Sequence, residues 1–148
     1  MGLQYRRAGK AGVNLTLLSG EIRPEEMMAY FEALDAGDPA MADAWITYDC
    51  GDADLSELDL ARVAQLKALI FAKVKALASF RPMRSALVSS RAINEPFFQF
   101  WKVLVSADVA YPSAPQFFHQ LPAACDWLGL DAAAQADVIA VAQADRLG

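Results

Sequence analysis

Apolar and polar residues alternate over residues 13–17, near the start of the chain. A period of two is typical of a β-strand with one face buried and the other in water. Residues 3–8 also have the composition of a strand, and Gly9 and Gly12 bound the segment between the two stretches. Because glycine permits a tight reversal, the pattern predicts an N-terminal β-hairpin whose second strand is half-buried.

From residue 21 onward, apolar positions recur every three to four residues in several stretches, which is the spacing of amphipathic helices. The predicted helices span residues 24–34, 56–79, 95–106, 121–128 and 131–147. Short apolar runs between them predict strands at 45–48, 86–88 and 115–118. Alternating strands and helices imply right-handed crossovers. The sequence therefore predicts an α/β fold with a mixed, mostly parallel sheet of four to five strands, about four flanking helices and an extra C-terminal helix.

Polar residues mark the expected starts of two of these helices. Ser56, with Asp59 three residues later, resembles a capping box in which the serine hydroxyl bonds to the helix N-terminus. Asn94 is a favourable N-cap for the helix at 95–106. Pro115 lacks a backbone N–H, and this places the last predicted strand at a sheet edge.

Length and charge bound the class of protein. The 148 residues and net charge of −5 predict one domain and argue against a nucleic-acid partner, whose binders carry a basic face. We expect the domain at 1–130 and an extension at 131–148 that packs on it or on a second subunit. Residues 21–59 carry twelve acids and one base, whereas residues 62–102 carry eight bases and one acid. Two solvated faces explain this asymmetry, and a basic surface for anionic lipid or an acidic partner is the alternative.

Cysteine usage and the lack of targeting signals indicate the compartment. Cys50 and Cys125 are far apart and not in a CxxC spacing, so we expect free buried thiols in a reducing environment. No apolar signal-peptide core follows Arg6 and Arg7, and no apolar run approaches the roughly 18 residues of a membrane span. These features predict a soluble cytoplasmic protein.

Five residues were weighed as candidates for chemistry, and a structural role is favoured for each. Asp49, Asp52 and Asp54 could hold a hard cation through oxygen ligands, but their spacing matches neither an EF-hand nor a Walker-type partner. His119 is the single histidine, whereas metal sites usually recruit several His or Cys ligands. Cys50 has acidic rather than basic neighbours, which disfavours a reactive thiolate. The sequence predicts no catalytic residue, metal or cofactor.

The C-terminal third of the domain carries a recognisable succession of residues. Residues 84–90 (Arg-Ser-Ala-Leu-Val-Ser-Ser) precede an aromatic helix, and a strand ending in Phe is followed by a polar step and a helix with Leu, Ala and Trp-Leu. These last positions are Phe118, Leu121, Ala124, Trp127 and Leu128. The succession resembles the SpoIIAA-like branch of STAS domains. The opening hairpin and the strand at 45–49 fit the same plan, so the resemblance covers roughly residues 3–129.

The resemblance implies a small non-enzymatic module with the SpoIIAA-like sandwich fold. Typical STAS proteins are anti-sigma-factor antagonists, switched by phosphorylation in an Asp-Ser-Ser/Thr-Gly motif at the start of the second helix. The corresponding region here is Asp54-Leu-Ser-Glu-Leu-Asp59, so Ser56 is the candidate phosphoacceptor. A phosphate there suits a helix N-terminus, although Glu57 and Asp59 repel it. Some SpoIIAA-like members look like small CRAL-TRIO-type domains, which implies an apolar pocket and a lipid-like ligand.

The helix at 95–106 is aromatic on nearly all sides, and a helix that is apolar all round needs a second partner. One face can bury Phe97, Phe100, Trp101 and Leu104, in which case Phe98 and Val105 point away from it. Core packing, a homodimer or peripheral membrane surface, and a lipid-like pocket are the three interpretations. The candidate ligand-binding residues are Phe97, Phe98, Trp101, Leu104 and Lys102, with Arg91 and Arg84 near an acidic headgroup.

The sequence therefore predicts a non-enzymatic regulatory or binding module of the STAS type. Its expected partner is an apolar small molecule or a protein. The alternative is a phosphorylation-switched anti-sigma-factor antagonist with Ser56 as the acceptor.

Overall fold

Five strands form one mixed sheet. The computed structural model describes residues 2–35, 37–77, 83–108 and 113–144. The strands are β1 (Leu3–Ala8), β2 (Val13–Leu18), β3 (Ala44–Asp49), β4 (Met83–Val88) and β5 (Ser113–Phe118). They lie side by side in chain order, with β1 antiparallel to β2 and all later neighbours parallel. The predicted α/β fold with an N-terminal hairpin is confirmed, as is the place of the last strand at a sheet edge.

Helices cover both faces of this sheet. In the described part of the chain they are α1 (Pro24–Ala33), α2 (Leu60–Leu77), α3 (Glu95–Ser106), α4 (Leu121–Trp127) and α5 (Ala132–Gln143), with short 3-10 turns at Pro39–Ala42 and Ala92–Asn94. Because the sheet grows in one direction, right-handed crossovers place α1, α2 and α3 on the same face. On the other face, α4 packs against β4 and β5, and α5 packs against β1 and β2. The helix end expected near Ser79 and residues 145–147 of the last predicted helix lie outside the described residues.

A separate hydrophobic core fills each face of the sheet. The core under α1, α2 and α3 includes Leu18, Ile22, Met27, Leu55, Leu58, Val63, Leu66 and Leu87 together with the aromatic residues of α3. The core under α4 and α5 includes Leu15, Leu17, Ile46, Val88, Leu121 and Cys125. Helix α5 adds Val138 and Ala142 to this second core, so the C-terminal extension packs on its own domain. The Asp137 carboxylate also accepts the backbone N–H of Lys10 at 3.0 Å, which ties α5 to the hairpin turn.

Strand β2 is buried on both faces, so the prediction of a half-buried strand is wrong. Asn14 and Thr16, which alternation placed in water, are both fully buried under α1 and the 3-10 turn before β3. Each polar side chain is satisfied there. The Asn14 amide oxygen accepts the Tyr5 hydroxyl at 2.6 Å, and its nitrogen donates to the Ala40 carbonyl at 2.7 Å. Hydrogen bonding therefore offsets the cost of burying polar groups that the pattern alone assigns to solvent.

Helix α2 begins later than the sequence predicts, and Ser56 is not its cap. The helix starts at Leu60, and the Asp59 carboxylate accepts the backbone N–H of Arg62 at 2.9 Å. Upstream, the N–H of Leu58 donates to the carbonyl of Leu55 at 3.1 Å in a tight turn. This turn lets both leucines reach the core, and the helix can begin only after it. Asp59 has therefore taken the capping role predicted for Ser56.

A lysine of α2 satisfies the carboxyl end of α1. The last carbonyl groups of a helix have no partner within the helix. The Lys73 ammonium donates to the carbonyl oxygens of Glu32 and Leu34, the latter at 3.0 Å. The positive charge also suits the negative end of the helix dipole. This contact fixes the position of α1 along α2.

Burial of the Tyr30 phenol gives the stability a dependence on alkaline pH. The two hydroxyl oxygens lie 2.8 Å apart beneath α1, and burial raises the pKa of Tyr30 to about 12. Between the usual tyrosine pKa of about 10 and this value, the unfolded state loses a proton that the folded state keeps. The free energy of unfolding therefore falls as pH rises through this window, by up to about 3 kcal/mol from Tyr30.

We expect Tyr30→Phe to cost about 1 kcal/mol at pH 8, because one net hydrogen bond is lost. The variant lacks the titrating phenol, so its deficit should shrink and reverse as the pH approaches 11. Urea unfolding of both proteins across this range measures the difference. Parallel curves for the two proteins would contradict the assignment of the alkaline loss to Tyr30.

Candidate functional site

The carboxyl ends of the parallel strands bring two loops together. Residues 50–59 lead from β3 to α2, and residues 89–94 lead from β4 to α3. Because β3 and β4 are neighbours in the sheet, both loops lie at the same edge, where ligands of open α/β folds usually bind. We refer to this surface, residues 50–60 and 89–94, as the carboxyl edge.

A buried carboxylate organises the carboxyl edge. Asp49, the last residue of β3, is only 6% exposed. Its Oδ1 accepts the backbone N–H groups of Gly51 at 2.8 Å and Ala53 at 2.9 Å. Its Oδ2 accepts the Ser89 hydroxyl at 2.8 Å and the Asn94 amide at 3.3 Å. The four donors are uncharged, and together they replace the water that this carboxylate loses on burial.

Asn94 is the second centre of the network and is completely buried. It occupies the N-cap position of α3, as predicted, but its side chain makes no capping bond. Instead, its oxygen accepts the backbone N–H of Leu55 at 2.9 Å, and its nitrogen donates to the Ala53 carbonyl at 3.0 Å and to Ser89 Oγ at 3.1 Å. The guanidinium of Arg91 donates to the same Ala53 carbonyl at 2.7 Å. The side chain therefore fastens the 50–55 segment to the start of α3.

The geometry of this network indicates a structural role. The Ser89 hydroxyl donates directly to Asp49 and is 5% exposed, so it lies beneath the surface. The Nδ1 atom of His119 lies 3.3 Å from the backbone carbonyl oxygen of Ser89, not from its hydroxyl. A hydroxyl nucleophile also requires room for a substrate, and the Ser89 hydroxyl, although bonded to a carboxylate, is covered by the protein. The network accordingly holds the two loops in a fixed relation.

The loop acids are distributed rather than gathered. The Asp52 carboxylate accepts the backbone N–H of Gly20 at 3.1 Å, and Asp54 accepts that of Ser56 at 2.9 Å. Asp49 points inward to the network described above. Across the described ranges, no three His, Cys, Asp or Glu side chains converge in the manner of metal ligands. Asp49 and Asp54 instead stabilise turns within the loop, and Asp52 ties the loop to the segment after β2.

Ser56 is exposed on the carboxyl edge, three residues before the cap of α2. Its backbone N–H donates to the Asp54 carboxylate. Hydrogen bonds from the Ser56 hydroxyl and backbone lower the pKa of Asp54, with a smaller contribution from Arg91. The hydroxyl is therefore at the surface, in a loop with acidic neighbours on both sides.

The structure leaves both cysteines without a disulfide, as predicted. Cys125 is buried in the core under α4 and α5, and this burial raises the pKa of its thiol, with a further contribution from Asp126. Cys50 is half-buried at the end of β3, so the expectation of a buried thiol is correct for Cys125 and only partly so for Cys50. At pH 7 the Cys125 thiol stays protonated and packs as a small apolar side chain.

Apolar side chains are exposed at the carboxyl edge. Leu60, the first residue of α2, is 50% exposed, and Ile93, just before α3, is 42% exposed. These two helices pack against each other, and both begin at this edge of the sheet. A third exposed apolar residue, Val103, lies two turns or more into α3. Sequence pattern does not single out either residue, because Leu60 fits the apolar spacing of the helix predicted at 56–79 and Ile93 precedes the helix predicted at 95–106.

The aromatic helix α3 is packed into its own domain. Phe97, Phe98 and Trp101 are 5–7% exposed and belong to the core under α1, α2 and α3. The Phe98 ring stacks on Phe117 of β5 with 5.1 Å between centroids. The expectation that Phe98 and Val105 point away from the core is therefore wrong, since both are buried. Contact with β5 thus covers the second apolar face of the helix.

The remaining residues proposed for a ligand at α3 are separated from one another. Leu104 is half-buried against the same core, and the Lys102 ammonium lies 5.9 Å from the centroid of the Phe117 ring. Arg84 lies on the opposite face of the sheet, where its guanidinium is 4.3 Å from the centroid of the Trp127 ring. The three cations expected around one headgroup, which include Arg91 at the carboxyl edge, therefore occupy three different places.

Comparisons with known proteins leave the resemblance to STAS domains as an expectation drawn from the residues. No protein-family model, curated protein or solved structure matches this chain. Among the helices that the structure describes, none has the combination of length and apolar character needed to cross a bilayer. Evidence on function must therefore come from the molecule's own surfaces.

Substitution of Asn94 tests the network. Asn94→Asp keeps the shape but places a second carboxylate beside Asp49, so we expect a loss of about 3 kcal/mol or more at pH 7. Repulsion raises one carboxyl pKa in the folded state above its unfolded value near 4. Stability should therefore increase as the pH falls from 7 to 5, when the folded state binds the extra proton.

Asn94→Ala is the matched control for this experiment. It removes the side-chain hydrogen bonds of residue 94 without adding charge, so its deficit relative to the natural chain should stay nearly constant between pH 7 and 5. Urea midpoints for the three proteins at both pH values give the comparison. Equal pH dependence of the two variants would refute the close approach of residue 94 to Asp49.

Proposed function

We propose that this chain is a non-enzymatic regulatory module that binds a protein partner through the carboxyl edge. The observation that carries the proposal is the exposure of Leu60 and Ile93 on loops that buried hydrogen bonds hold rigid. Apolar side chains surrounded by polar residues are typical of protein interaction sites. This proposal agrees with the regulatory role that the resemblance to STAS domains implies.

Rigidity supports this proposal. A surface that is already ordered loses little conformational entropy on binding, so more of the contact energy appears as affinity. The Asp49–Ser89–Asn94 network supplies that order, because it links the two loops that carry Leu60 and Ile93. The polar groups of the network form hydrogen bonds within the protein and stabilise the loops beneath this surface.

Charge at the same edge favours a protein over an anionic membrane. Asp52, Glu57 and Asp59 are exposed around Leu60. The cytoplasmic leaflet carries a negative surface potential that attracts basic segments and repels acidic ones. A protein surface with basic and apolar groups is the complementary partner.

The sequence also predicts an apolar small molecule as an alternative ligand, bound at α3. Such a ligand would have to separate Phe98 from Phe117 and open the core that contains Trp101. Opening a packed aromatic contact loses van der Waals attraction and exposes apolar surface, and the ligand would have to replace both. Binding at the carboxyl edge requires no such rearrangement, and this favours the edge as the binding site.

Capture of the partner from extracts of the source cells tests the proposal. We expect the double substitution Leu60→Ser/Ile93→Ser to reduce recovery of the partner at least tenfold, because the central apolar contacts are lost. Both side chains are at least 42% exposed, so the free energy of unfolding should change by about 0.5 kcal/mol or less. Quantitative mass spectrometry of the captured proteins gives the readout.

Val103→Ser is the matched control for this capture. Val103 is 63% exposed but lies further along α3, so its substitution should leave recovery unchanged. The proposal fails if no protein is enriched by the natural chain, or if the control loses the partner while the edge variant retains it.

A phosphorylation switch at Ser56 is the second candidate function, favoured by the exposure of this residue four positions before Leu60. A phosphate adds close to two negative charges beside Asp54 and Glu57. It also removes the hydroxyl group that donates a hydrogen bond to Asp54. Repulsion would displace the loop and with it Leu60. The switch would therefore act on the same surface as the proposed partner.

We expect Ser56→Glu to accelerate amide hydrogen exchange at residues 52–58 severalfold, while Ser56→Ala changes it less. Exchange measured by mass spectrometry compares the two variants with the natural chain. Unchanged exchange in Ser56→Glu, together with no phosphate on Ser56 in protein purified from its own cells, would eliminate the switch.

A further inference from the structure

A groove runs between α1 and α2 on the outer surface of the domain. Its volume is about 330 Å³, and its lining includes Met28 and Ala29 of α1. Met27, Leu58 and Leu66 form the floor and are nearly inaccessible to water. The groove has room for two or three apolar side chains, and this size lies at the lower end of natural binding pockets.

Contacts outside the groove fix the position of its α1 wall. Lys73 holds the carboxyl end of α1 through the carbonyl oxygens of Glu32 and Leu34. At the other end, the backbone N–H of Ile22 donates to the carbonyl of Asp54 at 2.9 Å and fixes the chain just before α1. The groove is consequently a persistent feature between two anchored helices.

The rim of the groove is polar and its surroundings are acidic. Glu25 and Glu32 lie on the α1 side, and Arg62 and Gln65 on the α2 side, all exposed. Over a wider area, residues 21–35 carry five acids and one base, and residues 51–65 carry four acids and one base. An apolar floor within this negative potential selects an occupant that is apolar on one side and basic on the other.

We propose that this groove binds a basic amphipathic helix of a protein partner. The inference rests on the proposed function and names a second contact for the same partner. A helix inserts apolar residues spaced three and four apart into a groove of this kind, and flexible methionine side chains adapt to them. Its lysine or arginine residues then face Glu25 and Glu32.

Charge argues against other occupants. An anionic membrane and a nucleic acid both carry the same sign of charge as the rim. A second copy of this chain carries a net charge of −5 and is on balance repelled by the acidic rim. A basic segment from a different protein meets each requirement.

Fluorescence anisotropy with labelled synthetic peptides tests the proposal on the full chain. The probe is an 18-residue helix of leucine and lysine with a 3.6-residue apolar period, and its counterpart carries glutamate in place of lysine. We expect the lysine peptide to bind with a micromolar Kd, and the glutamate peptide at least tenfold more weakly. Binding of the lysine peptide should persist in part at about 0.15 M salt, because its apolar contacts are not screened, whereas its advantage over the glutamate peptide should shrink.

Three variants locate the site. Glu25→Lys/Glu32→Lys should weaken the lysine peptide about tenfold, whereas Glu95→Lys/Asp126→Lys, with the same change in net charge far from the groove, should change it less than twofold. Ala29→Trp places a large ring in the groove from an exposed position and should abolish binding. Circular dichroism and urea midpoints confirm that each variant is folded.

Several results would overturn the proposal. An equal loss of affinity for the lysine peptide in the two charge-reversal variants would show non-specific electrostatic attraction. Equal binding of the two peptides would show that the groove does not select a basic partner. A dimer of the free chain that Ala29→Trp dissociates would assign the groove to a second copy, and groove-dependent binding to phosphatidylserine vesicles would assign it to a membrane. Partner capture that depends on Leu60 and Ile93 tests the proposed function separately, since neither residue lines the groove.

Discussion

The conformation of the carboxyl edge depends on the hydrogen bonds of the buried Asp49 carboxylate. A carboxylate at 6% exposure would be strongly destabilising if its oxygens were unpaired. Four uncharged donors from two loops surround it, and each donor is held in place by the others. The loop between β3 and α2 therefore has one conformation in which the charge is tolerated, and the outward positions of Ser56 and Leu60 follow from that conformation.

The same principle operates beneath α1, at the other end of the sheet. Asn14 accepts the Tyr5 hydroxyl and also a guanidinium N–H of Arg7 at 3.0 Å, while Arg7 forms an ion pair with Asp43 at 2.8 Å. Polar networks therefore lie at the start of β2 and at the end of β3, and the Thr16–Tyr30 bond satisfies the buried polar side chain in the middle of β2. Register is thereby fixed, because a shift by one residue would bury unpaired polar groups at both ends.

Local periodicity predicted the order of strands and helices because each of these elements has a contiguous apolar pattern. It misjudged β2, since alternation cannot reveal that a hydrogen-bonded second layer covers Asn14 and Thr16. It misplaced the start of α2 because the turn that carries Leu55 and Leu58 into the core has no sequence signature distinct from a helix. The Asp49–Ser89–Asn94 network was inaccessible to sequence reasoning for a different reason. Its members lie 40 and 45 positions from Asp49 and meet only through the parallel pairing of β3 and β4.

Sheet order has a consequence for how this chain acquires its structure. Every strand pairs with its immediate neighbour in sequence, so the sheet can assemble progressively from the hairpin towards β5 without displacing an earlier strand. Each parallel pairing still joins residues 30 to 40 positions apart, which slows folding, but the elements that follow the hairpin are added in chain order. The exception is α5, which returns from the end of the chain to cover β1 and β2 and bonds to the hairpin turn at Lys10. During synthesis from the N-terminus, β1 and β2 are thus made well before α5, and the apolar face of the hairpin that α5 covers stays open until this helix has left the ribosome.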